Sequence, residues 1–450
     1  MVKDLSKKIK ERKEFSFDKQ GNMLFDECNL EKLAHEYGTP CYIYSENIIR
    51  ESCREYKNSL QKESIEHEVI YAGKAFLTQT LCKIIDEEGL SLDTSSGGEI
   101  YIALSAGFPA DKIYFHGNNK SSDEISYAVK NNVGTIVIDN YYEIDLIADI
   151  AQKQDKTVNI LVRVTPGINI HTHSKIRTGQ ADSKFGFPIS EIENIFRTLK
   201  KKDNLIFKGL HCHIGSQLLQ VQDYFLAVDE MVRAIRNIAE KYSAKIDCLN
   251  LGGGLGAKYT TDDHPISISD FVGLLINKVK EACSGHNLVL PKILLEPGRS
   301  IIAEAGIMLY RIGAIKEIQG LKKYLLVDGG MADNPRPSLY DAKYEAVLVK
   351  KYDSEAMKTI EEVTIAGRYC ESGDILIQNI EMPQADSGDL LAFFTTGAYQ
   401  YSMSSNYNGV PRPPVVLVND GKHGLMVERE TYHELIRNQV YPQWLIKKQN

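Results

Sequence analysis

The feature that most restricts the fold is a unit that recurs eight times: a short β-branched run ending in glycine, serine or charged residues, then a stretch with helical apolar spacing. The runs are HEVIYAGK (67–74), LSLDTSS (90–96), KIYFHGNN (112–119) and GTIVIDN (134–140). They continue with NILVRVTPG (159–167), FKGLHCHIG (207–215), DCLNLGGG (247–254) and KILLEPGR (292–299). Between them, segments such as SDEISYAVKNN and DYFLAVDEMVRAIRNIAEKY repeat their apolar residues at the period of a helix. Eight strands alternating with helices over about 230 residues match a (β/α)8 TIM-like barrel, and an open doubly wound sheet uses the same alternation. The unusual residues favour the barrel, because they sit at the C-terminal ends of different strands, where a barrel assembles its site.

After about residue 300 the texture changes. IMLYRIGAIKEI, KYLLVDGG, AVLVKKY, EEVTIAGRY, DILIQNI, DLLAFFTTGA and PVVLVND read as strands without long helices between them, which predicts an antiparallel β domain of sandwich or barrel type. FSFDKQGNMLFDE reads as a hairpin around Gln20-Gly21 that joins this domain. The expected division is 1–40 packing with the β domain, 41–305 as the barrel and 306–450 as the β domain.

Bulk properties narrow the function. A chain of 450 residues is long enough for two cores, and 43% hydrophobic with 25% charged residues is a globular composition. No apolar run reaches 18 residues, so no membrane span is expected, and the charged start MVKDLSKKIKERKEFSFD is not a secretory signal. A formal charge of −7 argues against a nucleic-acid partner. The eight cysteines, at 28, 41, 53, 82, 212, 248, 283 and 370, form no CxxC pair, so small buried thiols in a reducing cytoplasm are expected, with Cys370 the exception.

Lys74 ends an apolar run, and partial burial there would lower its pKa and make it a Schiff-base candidate. The run LGGGLG (251–256) lets backbone amides approach an anion, and its GGGxG spacing lacks the downstream acidic residue of a dinucleotide fingerprint. EPGR (296–299) offers a carboxylate for a protonated ring nitrogen and Arg299 for an anion; a structural turn with a surface ion pair is the other reading. HCHIGS (211–216) places two histidines near each other, too few for a metal site, so no metal is expected. A strand-end imidazole can instead stack on a planar cofactor, and His211 can equally be a core residue. HTH (171–173) lies in a polar stretch, Ile168–Lys184, that reads as a mobile active-site loop. Cys370 beside Glu371 in GRYCESGD suits a proton donor more than a nucleophile. Tyr399 offers a phenol to a phosphate oxygen, and Arg336 of NPRPSLY a guanidinium to a carboxylate.

In order and over about residues 25–440, FHGNNKS (115–121), HTHSKIRTG (171–179), SKFGF (183–187), GLHCHIGSQ (209–217), EPGR, CESGD and SMSSNYN (402–408) resemble the alanine-racemase-fold, pyridoxal-phosphate-dependent decarboxylases. Among these the resemblance is strongest to the diaminopimelate decarboxylases. It implies pyridoxal 5'-phosphate held covalently by Lys74, stacked on His213 and bound through its ring nitrogen to Glu296. It implies phosphate contacts from Ser216, Gly254, the turn Pro297-Gly298-Arg299 and Tyr399, with Asp93, Glu99 and Arg163 as polar neighbours. For the substrate, an amino acid whose far end is itself an amino-acid head, it implies Arg299, Arg336, Tyr340, Glu371 and Tyr399. Cys370 would return a proton to the substrate's α-carbon from a neighbouring subunit, so a homodimer with shared sites is expected.

Overall fold

The computed structural model describes residues 15–168, 183–350 and 359–445. The expected loop and its HTHSKIRTG motif fall at 169–182, outside the described residues. The chain forms two compact units. The first is Glu46–Gly306 with Thr395–Ser402; the second is Ile307–Phe394 with the described parts of Met1–Ser45 and Met403–Asn450.

The first unit is a closed barrel of eight parallel strands: His67–Ala72, Ser91–Thr94, Ile113–Phe115, Thr135–Ile138, Val158–Thr165, Leu205–His211, Cys248–Asn250 and Lys292–Leu295. Closure is made by Lys292–Leu295, which pairs back onto the first strand with Leu295 opposite Val69. Most of the strand residues are buried because helices cover the outer face while side chains fill the middle. The helices begin where the sequence supplies caps: Thr78, Ser96, Ser121, Asn140 and Ser267 each accept a backbone N–H of the following first turn. Ser121 and Glu124 complete a reciprocal capping box.

The FHGNNKS segment is tied down by Lys120, whose ammonium donates to Glu143 Oε2 at 2.8 Å and to the carbonyls of Gly117 and Val137 at 2.7 Å. Both partners are buried, and burial pulls the Lys120 pKa down against the pull of Glu143. Glu143→Ala would strand a buried ammonium. The expected loss is about 3–5 kcal/mol of unfolding free energy, measured by chemical denaturation. An unchanged midpoint would count against this account.

The second unit is mostly sheet. The hairpin Phe15–Phe17 with Met23–Phe25 is present, with Phe15 opposite Phe25 and Gly21 at φ +80° in the turn. The large sheet is mixed rather than purely antiparallel. Lys322–Val327 runs parallel to Ile360–Ala366, and Cys41–Ser45 parallel to Val415–Asn419, whereas Gly306–Ile318, Ala346–Val349 and Leu390–Phe393 pair antiparallel. Two stretches therefore fall on other sides of the sequence boundaries. Cys41–Ser45 belongs to the sheet, through its ladder with Val415–Asn419. Thr395–Ser402 belongs to the barrel unit, where Thr396 N donates to Gly306 O at 2.8 Å and Gly397 N to Ala303 O at 3.0 Å.

Candidate active site

At the C-terminal ends of the barrel strands, Ala72, Lys74, His213, Ser216, Gly253, Gly254, Glu296, Gly298, Arg299 and Tyr399 line one cavity. These residues come from the ends of four barrel strands and from the returning segment Thr395–Ser402. That segment is fastened by Tyr399 N and Ser402 Oγ, which donate to Ala75 O at 2.8 and 2.9 Å, next door to Lys74. Pro297 lies behind the lining, its carbonyl accepting from Ala72 N at 3.0 Å.

The glycine run is required by space. A Cβ on Gly253 would lie 1.9 Å from the Glu296 carbonyl oxygen, and one on Gly254 (φ +124°) 2.4 Å from the Gly215 carbonyl oxygen. Side chains here would collide with neighbouring backbone, so the cradle stays open to a ligand.

Glu296 is buried at the cavity wall with donors on both oxygens. Asn250 Nδ2 donates to Oε1 at 2.7 Å, and His211 Nε2 donates to Oε2 at 3.0 Å. His116 Nε2 lies 3.0 Å from Oε1. Burial disfavours the charge, yet the two imidazoles outweigh it and hold the Glu296 carboxyl well below the usual carboxylate range. His211 is pushed down to about 4 by burial, against the pull of Glu296. A neutral ring with its proton on Nε2 accounts for the bond to Glu296 and leaves Nδ1 bare, consistent with the absence of a partner for Nδ1 among the described residues. His213 lies beyond the strand end, and burial and then Lys74 drive its pKa well below the usual value, so it is a neutral ring facing the cavity.

Lys74 departs from the sequence expectation. Burial pushes its pKa down as expected, but the carboxylate of Asp93, with Tyr399 and Glu296, pushes it up, and the net direction is upward. The desolvation follows from the lysine's own strand, whereas Asp93, Tyr399 and Glu296 reach it from three other segments. Asp93 is raised by burial, and Glu99 is pushed up to about 7 by burial. Arg163 is buried with its guanidinium 4.5 Å from the Phe185 ring centre and 3.9 Å from Asp139. In the same lining, Arg299 donates to Ser216 Oγ at 3.0 Å and to the Tyr259 hydroxyl, and stacks 4.8 Å from the Tyr399 ring.

The remaining sequence candidates lie in the sheet unit. Arg336 begins the helix Arg336–Tyr340, is buried, and donates to the Tyr344 hydroxyl at 2.6 Å; Tyr340 is half-buried. Ser338 Oγ donates to Gly373 O at 2.9 Å, which joins this helix to the CESGD loop. The loop is organised by Asp374, whose carboxylate accepts from Met331 N at 2.6 Å and Tyr369 N at 2.8 Å. Cys370 N donates to Asn408 Oδ1 at 2.9 Å, so NPRPSLY, CESGD and SMSSNYN meet within this unit. Cys370 is the one exposed cysteine; the other seven are buried, and none of the eight is disulfide-bonded. Glu371 beside it is exposed.

Sequence reasoning missed His116, Asn250 and Asp374. His116 stood inside a quoted motif, and Asn250 precedes the glycine run. Only the barrel register, which sets His211 opposite Asn250, shows that both serve Glu296.

The arrangement fits pyridoxal phosphate: an amine, a neutral ring, an ionised carboxylate and a glycine cradle with hydroxyl and guanidinium donors share one cavity. Residues 46–303 match the family model described as the pyridoxal binding domain of pyridoxal-dependent decarboxylases. The chain is 44% identical over 407 residues to the diaminopimelate decarboxylase of Bacillus subtilis, covering 90% of this chain and 92% of that one. It is 47% identical over 401 residues to that of Bacillus methanolicus, covering 89% and 92%. The structure of diaminopimelate decarboxylase from M. jannaschii in complex with L-lysine superposes with a TM-score of 0.90 at 32% identity, over 97% of this chain and 99% of that one. The Helicobacter pylori enzyme complexed with L-lysine gives 0.84 at 30%, over 91% and 98%. On its barrel, its cavity and its kinship over nearly the whole length, this chain belongs to the pyridoxal-phosphate-dependent diaminopimelate decarboxylases.

Proposed function

We propose that this protein decarboxylates meso-2,6-diaminopimelate to L-lysine and carbon dioxide, the last step of lysine biosynthesis, as a cytoplasmic homodimer. The observation that carries the reading is the pairing of Lys74 with an ionised Glu296 across one cavity, supported by relatives 44% and 47% identical. Two related structures hold L-lysine, the product of this reaction.

In this reading Lys74 is the residue that would hold pyridoxal phosphate covalently, through its side-chain amine at the cavity wall. Ser216, Gly254, the backbone of Gly298 and Arg299, and the Tyr399 hydroxyl would bind its phosphate, with Pro297 shaping the turn from behind the lining, and His213 would face its ring. When bound, the cofactor takes up the electron pair left at the α-carbon as carbon dioxide departs. Glu296 keeps a proton on the ring nitrogen, and His211 and Asn250 keep Glu296 ionised and aimed. Arg299, Arg336, Tyr340, Glu371 and Tyr399 position the substrate, with Arg336 suited to its distal carboxylate. Cys370 of a neighbouring subunit donates the proton that replaces the lost carboxyl. No helix among the described residues is long and apolar enough to cross a membrane.

The test is carbon dioxide release from the cofactor-loaded protein with meso-diaminopimelate, ornithine, arginine and carboxynorspermidine in parallel. Turnover is expected with the first alone; a higher kcat/KM for any other would displace this substrate.

A further inference from the structure

We propose that the C-terminal arm, Tyr432 to Leu445, is a docking element that packs against a second copy of this chain; the inference rests on the reading that the enzyme is a homodimer. Six of the eighteen exposed large hydrophobic side chains among the described residues lie in these last fourteen described positions: Tyr432, Ile436, Val440, Tyr441, Trp444 and Leu445. Tyr432, Val440, Tyr441 and Trp444 are 79%, 87%, 81% and 83% exposed. Every described residue from Ile436 onward is exposed, so this stretch contributes nothing to the core of its own chain.

The root of the arm is firmly held. Thr431 and Glu434 form a capping box, and Arg429 donates to the carbonyls of Pro40 at 2.8 Å and Tyr37 at 3.2 Å. Beyond the root, residues 438–445 (NQVYPQWL) carry no charged side chain. Charge depletion with aromatic enrichment is the signature of an interface core. Three aromatic side chains of about 150–250 Å² each, some four-fifths exposed, offer roughly 350–600 Å². With Ile436, Val440 and Leu445 the arm approaches the roughly 800 Å² per partner of a standard stable interface. So much apolar surface on fourteen consecutive residues reaches the roughly 300–600 Å² of the largest patch on a typical monomer, a size that marks interaction sites.

The position selects the partner. Thr431 and Tyr432, at the root, line a cavity of the sheet unit together with Thr39, Asp328, Arg429 and Arg368. Arg368 lies two residues before Cys370, the residue assigned above to a neighbouring subunit's site. The arm thus starts beside the loop that a second copy must approach. An uncharged surface also suits an isologous contact, in which the same patch meets itself across a two-fold axis.

The chain contains a single tryptophan, Trp444, so its fluorescence reports this arm alone. The experiment combines sedimentation of the cofactor-loaded full chain with Trp444 emission over a dilution series, for the native protein and for a Val440→Ser/Tyr441→Ser variant. Both substituted side chains are exposed, so the fold is expected to survive the change. The expected result is blue-shifted emission in the dimer, turning red on dilution in step with dissociation. In the variant the dimer dissociation constant rises about 30-fold or more, equivalent to about 2 kcal/mol at 1.4 kcal/mol per decade. A dimer that keeps its affinity in the variant while Trp444 emits as a water-exposed indole overturns the arm proposal and leaves the dimer reading standing. A monomer that turns over substrate at every concentration removes the dimer reading, and the arm proposal with it. Concentration-independent blue emission that turns red when residues 1–14 are deleted assigns the arm to its own chain. A blue shift only on adding phosphatidylcholine vesicles assigns it to a membrane. Either result overturns the proposal.

Discussion

Lys74→Ala is expected to abolish the absorbance of covalently held cofactor and to lower kcat by a factor on the order of 10³ or more. Among the described residues of the cavity lining the amine is the only group suited to that bond, and its neighbours Ala72 and Gly298 offer no substitute. The variant should still fold, because the side chain opens into the cavity rather than filling the core. Absorbance spectroscopy of the dialysed protein, read beside turnover, is the check. The visible band retained together with turnover would overturn the assignment of Lys74. A band lost without loss of turnover would show that the covalent link is dispensable.

The second large effect concerns Cys370. Cys370→Ala is expected to bind cofactor normally and to decarboxylate about 10²- to 10⁴-fold more slowly, the usual range for loss of a positioned general acid. The stronger test mixes this variant with Lys74→Ala. If each site takes Lys74 from one subunit and Cys370 from the other, random exchange makes about half the dimers mixed, and each mixed dimer has one intact site, so about a quarter of native activity returns. If both residues of a site come from one chain, mixing restores nothing. Inactivity of the mixture after demonstrated subunit exchange would therefore remove the shared-site reading and leave Cys370 to be placed within its own chain.

Much of the architecture was legible because it depends on local chemistry. Each barrel strand is a buried β-branched run, and Thr78, Ser96, Ser121, Asn140 and Ser267 mark helix starts by the hydrogen bonds their side chains make within one turn. The hairpin at Gly21 and the glycine cradle were equally local, since both follow from backbone that a Cβ would obstruct or strain. Sheet direction in the second unit was not local. Cys41–Ser45 lies parallel to a strand some 370 residues later, and only closure of the sheet decides that pairing.

The site divides in the same way. Lys74, His213, Glu296, Arg299 and Tyr399 stood out as residue types in strand-end motifs, and the cavity holds all five. Their electrical state was decided by neighbours remote in sequence: His211 and His116 on Glu296, and Asp93 against the desolvation of Lys74. The sequence by itself offered the groups proposed to carry the chemistry, through residue types in its motifs and their resemblance to a family, and the elements that present them, because periodicity acts over a few residues. Only the tertiary structure decided how those groups are charged and which unit claims Thr395–Ser402, because burial and Coulomb interactions act through space between segments that the chain order keeps apart.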